Sequence, residues 1–309
     1  MKFTSCNTIG ANVSTKAEQI SWGSLALRKV KDYHMLVKFR LTLTVVFSSV
    51  VAFAIAADVL HWGAVAILAA GGFLVTGAAN TLNQVLEKDY DRLMKRTADR
   101  PLAAGRMTVS EAVMFAGLQS LFGITLLAMF NPWAAFFGTF SLVLYAFLYT
   151  PLKRISPVAV FIGAIPGALP TLIGCVAAQG TLTPLALSLF TLQFLWQFPH
   201  FWSIGWLGFE DYDKAGYKLV PKSGQQPDRS IALQSFVFAL CLVPVGMFPY
   251  WMGATGAVSA GIVVVLSLVY AGFSWNFYRK ADRKSALMLM FFSFLYIPVS
   301  LLAFFADKI

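Results

Sequence analysis

NTLNQVLEKDYDRLMKRTADRPL, from Asn80 to Leu102, follows an apolar run that extends from His61 to Ala79. It sets Glu87, Asp89, Asp91 and Asp99 among Lys88, Arg92, Lys95, Arg96 and Arg100. Asn80, Asn83, Glu87 and Asp91 are spaced three, four and four residues apart, so a helix carries them as one polar stripe. Glu87 and Asp91, one turn apart, put two carboxylates within reach of one hard cation. Asp89 falls on the other side of a regular helix, where it serves a neighbouring base unless the turn unwinds. Carboxylates, amides and arginines crowded at a membrane helix end suit a magnesium-bridged diphosphate: oxygen ligands for the metal, cations for the remaining phosphate charge. A solvated loop between two spans would account for the charge alone. The spacing is what argues for a site.

Working outward, the chain has 309 residues, 58% hydrophobic and 12% charged, with mean hydropathy +0.69. A soluble domain carries about 25% charged residues, so this is an all-α, polytopic membrane protein. Apolar runs lie at about 36–57, 62–83, 111–130, 133–150, 157–178, 183–206, 231–250, 255–277 and 286–306. Each is near the length that crosses a bilayer. Nine spans are expected, preceded by a disordered cytoplasmic tail over residues 1–34 with no signal-peptide core.

With the N-terminus inside, 23 of the 24 Lys and Arg residues fall in inside segments and only Lys308 lies outside. The net charge of +10 is therefore topology plus local phosphate binding, and no nucleic-acid module is called for. Cys6, Cys175 and Cys241 are scattered and odd in number, which implies neither a disulfide framework nor a metal site. Four acids sit in the loop after span two and four more, Glu210, Asp211, Asp213 and Asp228, in the loop after span six. That separation of four helices hints at a four-helix unit used twice, with the two loops facing each other across one cavity mouth.

WQFPHFWSIGWLGFEDYDKAGYKLVP, from Trp196 to Pro221, ends the sixth span. Its Glu210 and Asp211 could oppose the first acidic cluster across one diphosphate; a plain polar helix end is the alternative. His200 lies about two turns inside, as a direct participant or as a hydrogen-bonded core histidine. Tyr145 and Tyr149, on one face beside Lys153 and Arg154, are the aromatic candidates for holding a prenyl tail and facing an allylic cation.

Over residues 35–309 the chain resembles the UbiA-type intramembrane prenyltransferases, and within them the protohaem IX farnesyltransferases. The resemblance rests on AANTLNQVLEKDYDRLMKRTADRPLAAGR, YTPLKR (Tyr149 to Arg154), GAIPGALPTLIG (Gly163 to Gly174), WQFPHF and EDYDKAG. Where the family usually has Lys-Pro-Arg, this chain has Lys38-Phe39-Arg40, and a usual Pro-Pro pair reads Pro170-Thr171. Glu87 stands for the first aspartate of the superfamily motif.

The resemblance implies nine helices around a central cavity and farnesyl transfer from farnesyl diphosphate to haem B, with water addition. It implies Mg2+ on Asn83, Glu87, Asp91 and Asp211, with Glu210 beside them. It also implies diphosphate held by Arg92, Arg96, Arg100, Lys153, Arg154, Lys38 and Arg40, and a haem or prenyl pocket with His200, Tyr145 and Tyr149. A bacterial inner membrane is expected before a mitochondrial one, with contact to the haem A synthesis or terminal oxidase assembly machinery. Prenylation of an aromatic quinone precursor is the rival within the class, and a secondary transporter the rival outside it.

Overall fold

Lipid leaves the backbone little besides helices for crossing. The computed structural model describes residues 22–309, and apart from a two-stranded ribbon its regular structure is helical. In chain order the helices are α1 (Trp22–Leu36), α2 (Phe39–Ala56), α3 (Trp62–Asp91), α4 (Val109–Ala128), α5 (Pro132–Leu152), α6 (Ala159–Gln179) and α7 (Pro184–Leu207). A short α8 (Phe209–Lys214) follows, then the ribbon of β1 (Lys222–Ser223) and β2 (Gln226–Pro227). α9 (Ser230–Trp251), α10 (Ala257–Lys280) and α11 (Arg283–Ala306) complete the bundle.

Among the described residues, eight helices are long and apolar enough to cross a membrane: α2 to α6 and α9 to α11. The ninth expected span is α7. It has the length, 24 residues, but Gln193, Gln197 and His200 interrupt its apolar run. The tail expectation also changes, because Trp22–Leu36 is a helix. Lys29 and Tyr33 of α1 both donate to Glu111 of α4, at 2.7 and 2.9 Å. Residues 1–21 lie outside the description.

Helix starts follow their local chemistry. Thr108, Asn131, Thr183 and Asp282 each accept a hydrogen bond from a backbone amide of the first turn. Pro132 and Pro184 stand at the first helical position, where a missing N–H costs nothing.

α6 is the buried centre of the bundle, packed against α2, α5 and α7. A Cβ on its Gly174 would lie 2.1 Å from the Ser49 carbonyl of α2, and one on Gly167 would lie 1.9 Å from Oε1 of Gln197. Only glycine permits the approach to the Ser49 carbonyl, whereas a side chain at Gly167 would displace Gln197. Pro166 and Pro170 interrupt the ladder of α6. The freed Pro166 carbonyl accepts from Ser141 Oγ of α5 at 3.4 Å, and beside it α7 adds donors, Gln193 Nε2 to the Gly167 carbonyl at 2.9 Å and Gln197 Nε2 to that of Ala164 at 3.0 Å. The polarity that lowers the hydropathy of α7 therefore serves the backbone of its neighbour. α11 closes the bundle between α2 and α7, and Lys308 beyond its end donates to the Ala54 and Ala57 carbonyls at the far end of α2.

Candidate active site

α3 does not stop near residue 83 but runs on to Asp91, so the whole polar stripe is helical. It divides by function. Asn80 Nδ2 donates to the Val37 carbonyl (3.3 Å) and to Thr42 Oγ1 (3.2 Å), and Gln84 Nε2 donates to the Leu36 carbonyl (2.7 Å). These bonds hold the corner between α1 and α2, where Lys38 takes a left-handed backbone (φ 49°) unusual for a side-chain-bearing residue. The corner aims the Lys38 ammonium at Asn83 Oδ1, 3.0 Å away.

Asn83, Glu87 and Asp91 line a cavity of about 320 Å³ with Lys38, Arg96, Arg100, Lys153 and a ring of four tyrosines, 145, 149, 212 and 217. Asn83 Nδ2 donates to Glu87 Oε2 (2.8 Å) and to Thr150 Oγ1 (3.0 Å). Lys153 Nζ meets Glu87 Oε1 at 2.5 Å, and Arg100 grips both oxygens of Asp91 at 2.8 Å. Glu87 is 5% and Asp91 1% exposed. Such burial of two carboxylates requires the cations beside them. Burial, with Arg100 and Lys153 nearby, pulls the Lys38 ammonium down to about 7.

The π-helical turn Leu144–Tyr149 inside α5 was not legible from periodicity. Such turns carry an extra residue and gather at functional sites. This one is followed directly by Thr150, Pro151 and Lys153, so Tyr145, Tyr149 and Lys153 all reach the cavity. The Lys153 ammonium lies 4.8 Å from the Tyr149 ring centre and 5.5 Å from that of Tyr217.

The two acidic loops do meet over this mouth. Arg96 stacks 4.9 Å over the Tyr212 ring, and Met94 packs in one cluster with Ala215 and Tyr217. Burial works against the Arg96 charge, but Tyr212, Asp211 and Asp91 together hold the guanidinium protonated.

The sequence profile of the UbiA prenyltransferase family matches residues 44–296. The chain belongs to the UbiA prenyltransferase family. It is 43% identical over 280 residues to the protoheme IX farnesyltransferase of Cytophaga hutchinsonii, covering 90% of this chain and 97% of that one. To the protoheme IX farnesyltransferase of Flavobacterium johnsoniae it is 39% identical, over 90% and 94% of the two chains. Among solved structures, one from work on a digeranylgeranylglyceryl phosphate synthase superposes with a TM-score of 0.76 at 18% identity, covering 91% of this chain and 98% of that one. A UbiA homologue from Archaeoglobus fulgidus, solved with GPP and Mg2+, gives 0.63 at 16% identity, over 88% and 99%. These two structures share the fold.

Within this UbiA family member, several expected site residues lie elsewhere. Glu210 and Asp211 do not line the cavity; α8 turns Tyr212 inward instead, and Asp211 acts on the site through the Arg96 charge. Accordingly, no cluster of three acidic, histidine or cysteine side chains able to hold a metal exists among the described residues. Arg92 turns away from the cavity, with Nε donating to the Ala103 carbonyl (2.8 Å) and Nη1 meeting Asp89 (3.3 Å). Arg154 stacks on the Tyr90 ring at 4.5 Å, and Arg40 is exposed on the first turn of α2.

His200 is buried between α7 and α11, stacked 4.8 Å from Trp196. Its Nδ1 lies 2.7 Å from Ser293 Oγ, and that hydroxyl donates to the Met290 carbonyl at 2.5 Å. With Nδ1 engaged by Ser293, Nε2 is the ring nitrogen left for another partner.

Tyr217 was missed by sequence reasoning. The left-handed Gly216 (φ 76°) turns the chain after α8, leaving Tyr217 at 5% exposure against the cavity with its hydroxyl buried and without a hydrogen-bond partner. Burial raises that hydroxyl above the usual tyrosine range, and Glu87 and Asp91 push it further. The signal lay in Ala-Gly-Tyr, a small-residue turn delivering an aromatic, but nothing local showed where the turn would point.

Proposed function

We propose that this chain transfers the farnesyl group of farnesyl diphosphate to a vinyl group of haem B, with water addition, giving haem O and diphosphate. The observation behind the chemistry is the convergence of Glu87 and Asp91 with Lys38, Arg96, Arg100 and Lys153 around one cavity at a helix end. The acceptor is read from the relatives, 43% and 39% identical over nine tenths of the chain and named for protoheme IX. Residues 35–309 form one membrane domain of nine spans, counting α7, with the N-terminus cytoplasmic in a bacterial inner membrane. The basic asymmetry supports that orientation, as does contact between the two acidic loops on one face. Contact with haem A synthesis or oxidase assembly proteins belongs to the same reading.

The Asn83 amide oxygen and the Glu87 and Asp91 carboxylates, which line one cavity, are hard oxygen donors of the kind that would hold Mg2+. When bound, that ion neutralises the leaving diphosphate. Lys38, Lys153, Arg96 and Arg100 hold the remaining phosphate oxygens, and the buried Tyr217 hydroxyl donates one more hydrogen bond. Breaking the allylic C–O bond sends its electron pair to the diphosphate. The terminal vinyl carbon then attacks the cation, and water adds to the adjacent carbon with loss of a proton. Tyr145 and Tyr149, 5.3 Å apart, present ring faces to the cation and keep stray water out. His200 orients haem from outside this cavity through its free Nε2.

Membranes containing the chain, given haem B and farnesyl diphosphate, should yield haem O by mass spectrometry. Prenylation of 4-hydroxybenzoate instead would transfer the proposal to the quinone class. Tyr217→Phe removes one donor to a charged group, a loss of about 1.5–3 kcal/mol. It should lower kcat some ten- to a hundredfold and leave the melting temperature near wild type.

A pH dependence follows from Lys38. Its amine is protonated below about 7 in the free protein and neutral above. The kcat/KM for farnesyl diphosphate should therefore fall as pH rises through 7, and Lys38→Arg should flatten that limb. Stability moves the other way, rising between about 7 and 10.5, because there the unfolded chain holds a proton that the folded chain has released.

A further inference from the structure

A second cavity lies away from the active site, in the cleft between α10 and α11. It has a volume of about 550 Å³, with Val269, Gly272, Phe273 and Met288 as its apolar wall and Lys280 and Lys284 at its mouth. α10 and α11 are joined by a tight connection in which Ala281 takes a left-handed backbone (φ 48°). Asp282, between the two lysines, also lines the cleft, but as the cap of α11 it accepts from the Ser285 amide and hydroxyl, both at 2.7 Å, and pairs with neither lysine. Among the described residues neither ammonium has an ion-pair partner. Arg229 donates to the Arg279 carbonyl at 3.2 Å, which ties this end of α10 to the face that carries the α8 loop.

The dimensions select the occupant. Val269 and Lys280 are eleven residues apart on one helix, about 16 Å at 1.5 Å per residue. That is roughly the depth of one leaflet, half of a hydrocarbon core of about 30 Å. A Cβ on Gly272 would meet nothing within 4 Å, so the wall is open where a chain would lie. Val269 and Met288, each 41% exposed, face outward from the bundle. We propose that this cleft binds one anionic phospholipid, its phosphate between Lys280 and Lys284 and an acyl chain running past Gly272 to Val269. Basic residues at a cytoplasmic helix end satisfy the positive-inside rule by themselves. The elongated apolar cleft beneath them is what turns a charged edge into a headgroup site.

The test titrates the full chain, purified in neutral detergent and stripped of lipid, with phosphatidylglycerol or phosphatidylcholine and reads bound lipid by native mass spectrometry. One phosphatidylglycerol should bind at least tenfold more tightly than phosphatidylcholine. Lys280→Ala/Lys284→Ala and, independently, Gly272→Leu should each abolish that preference at an unchanged melting temperature. Gly272→Leu keeps every charge and fills only the cleft, so undiminished binding by this variant overturns the proposal. Equal affinity for the two lipids overturns it too. Displacement of phosphatidylglycerol by haem B at equimolar concentration would instead assign the lysines to porphyrin carboxylates and overturn the lipid assignment.

Discussion

Asp91→Asn should lower haem O formation about a thousandfold. On the proposed reading the carboxylate would serve two partners: it would be a hard oxygen donor for Mg2+, and both its oxygens accept from Nη1 of Arg100 at 2.8 Å. Charge stabilisation of a leaving diphosphate through such an ion contributes several kcal/mol, and about 4 kcal/mol corresponds to that factor. Because Asp91 is 1% exposed, the substitution also leaves Arg100 without its counter-charge. Some loss of thermal stability, of order 1–3 kcal/mol, should accompany the kinetic loss. Arg100→Ala removes the clamp and not the metal donor, so its effect on turnover should be smaller. Turnover of Asp91→Asn within tenfold of wild type would take the α3 end out of the catalytic site.

Lys153→Met should be the most destabilising single change at the site, with turnover lost as well. Lys153 and Glu87 are both nearly buried and meet at 2.5 Å. Removing the cation leaves Glu87 with only the Asn83 amide and the more distant Lys38 for its charge. Breaking a buried pair from one side costs about 3–5 kcal/mol, readable as a lowered melting temperature in detergent. Adding Glu87→Leu should recover most of that stability, since neither charge then remains, and should recover no turnover. If the double variant melts as low as the single one, the pair is not what the fold depends on there. If the double variant turns over normally, the site assignment fails.

How far the chain was readable follows from which interactions are local. The stripe of Asn83, Glu87 and Asp91 was legible because helix periodicity is a property of neighbours in sequence, and α3 does bring the three to one cavity. Lys38, Arg96, Arg100, Lys153, Tyr145 and Tyr149 reach the same cavity, as the spacing and the family resemblance suggested. Arg92, Arg154 and Arg40 do not, because a basic residue next to a site has several possible partners and its rotamer decides among them. Arg92 finds Asp89 and a backbone carbonyl, and Arg154 finds the Tyr90 ring. Glu210 and Asp211 missed the cavity for a related reason: α8 is six residues long, and a rotation of one residue exchanges Asp211 for Tyr212 on its inner side. α7 illustrates the same limit in the fold. Its glutamines look like an interruption of a span until the carbonyls of α6 that they satisfy are placed beside them.

Composition and apolar periodicity by themselves determined a multi-span helical bundle, its lengths and its charge asymmetry, because a bilayer imposes those constraints on each segment separately. Only the tertiary structure decided which side of each helix end faces the cavity, that the carboxylates are buried against cations, and that Tyr217 completes the wall. Those outcomes depend on the close contact of α6 with α2 and α7, on the π-turn in α5 and on the corner at Lys38. Each is set by contacts between residues far apart in the chain, which no local pattern encodes.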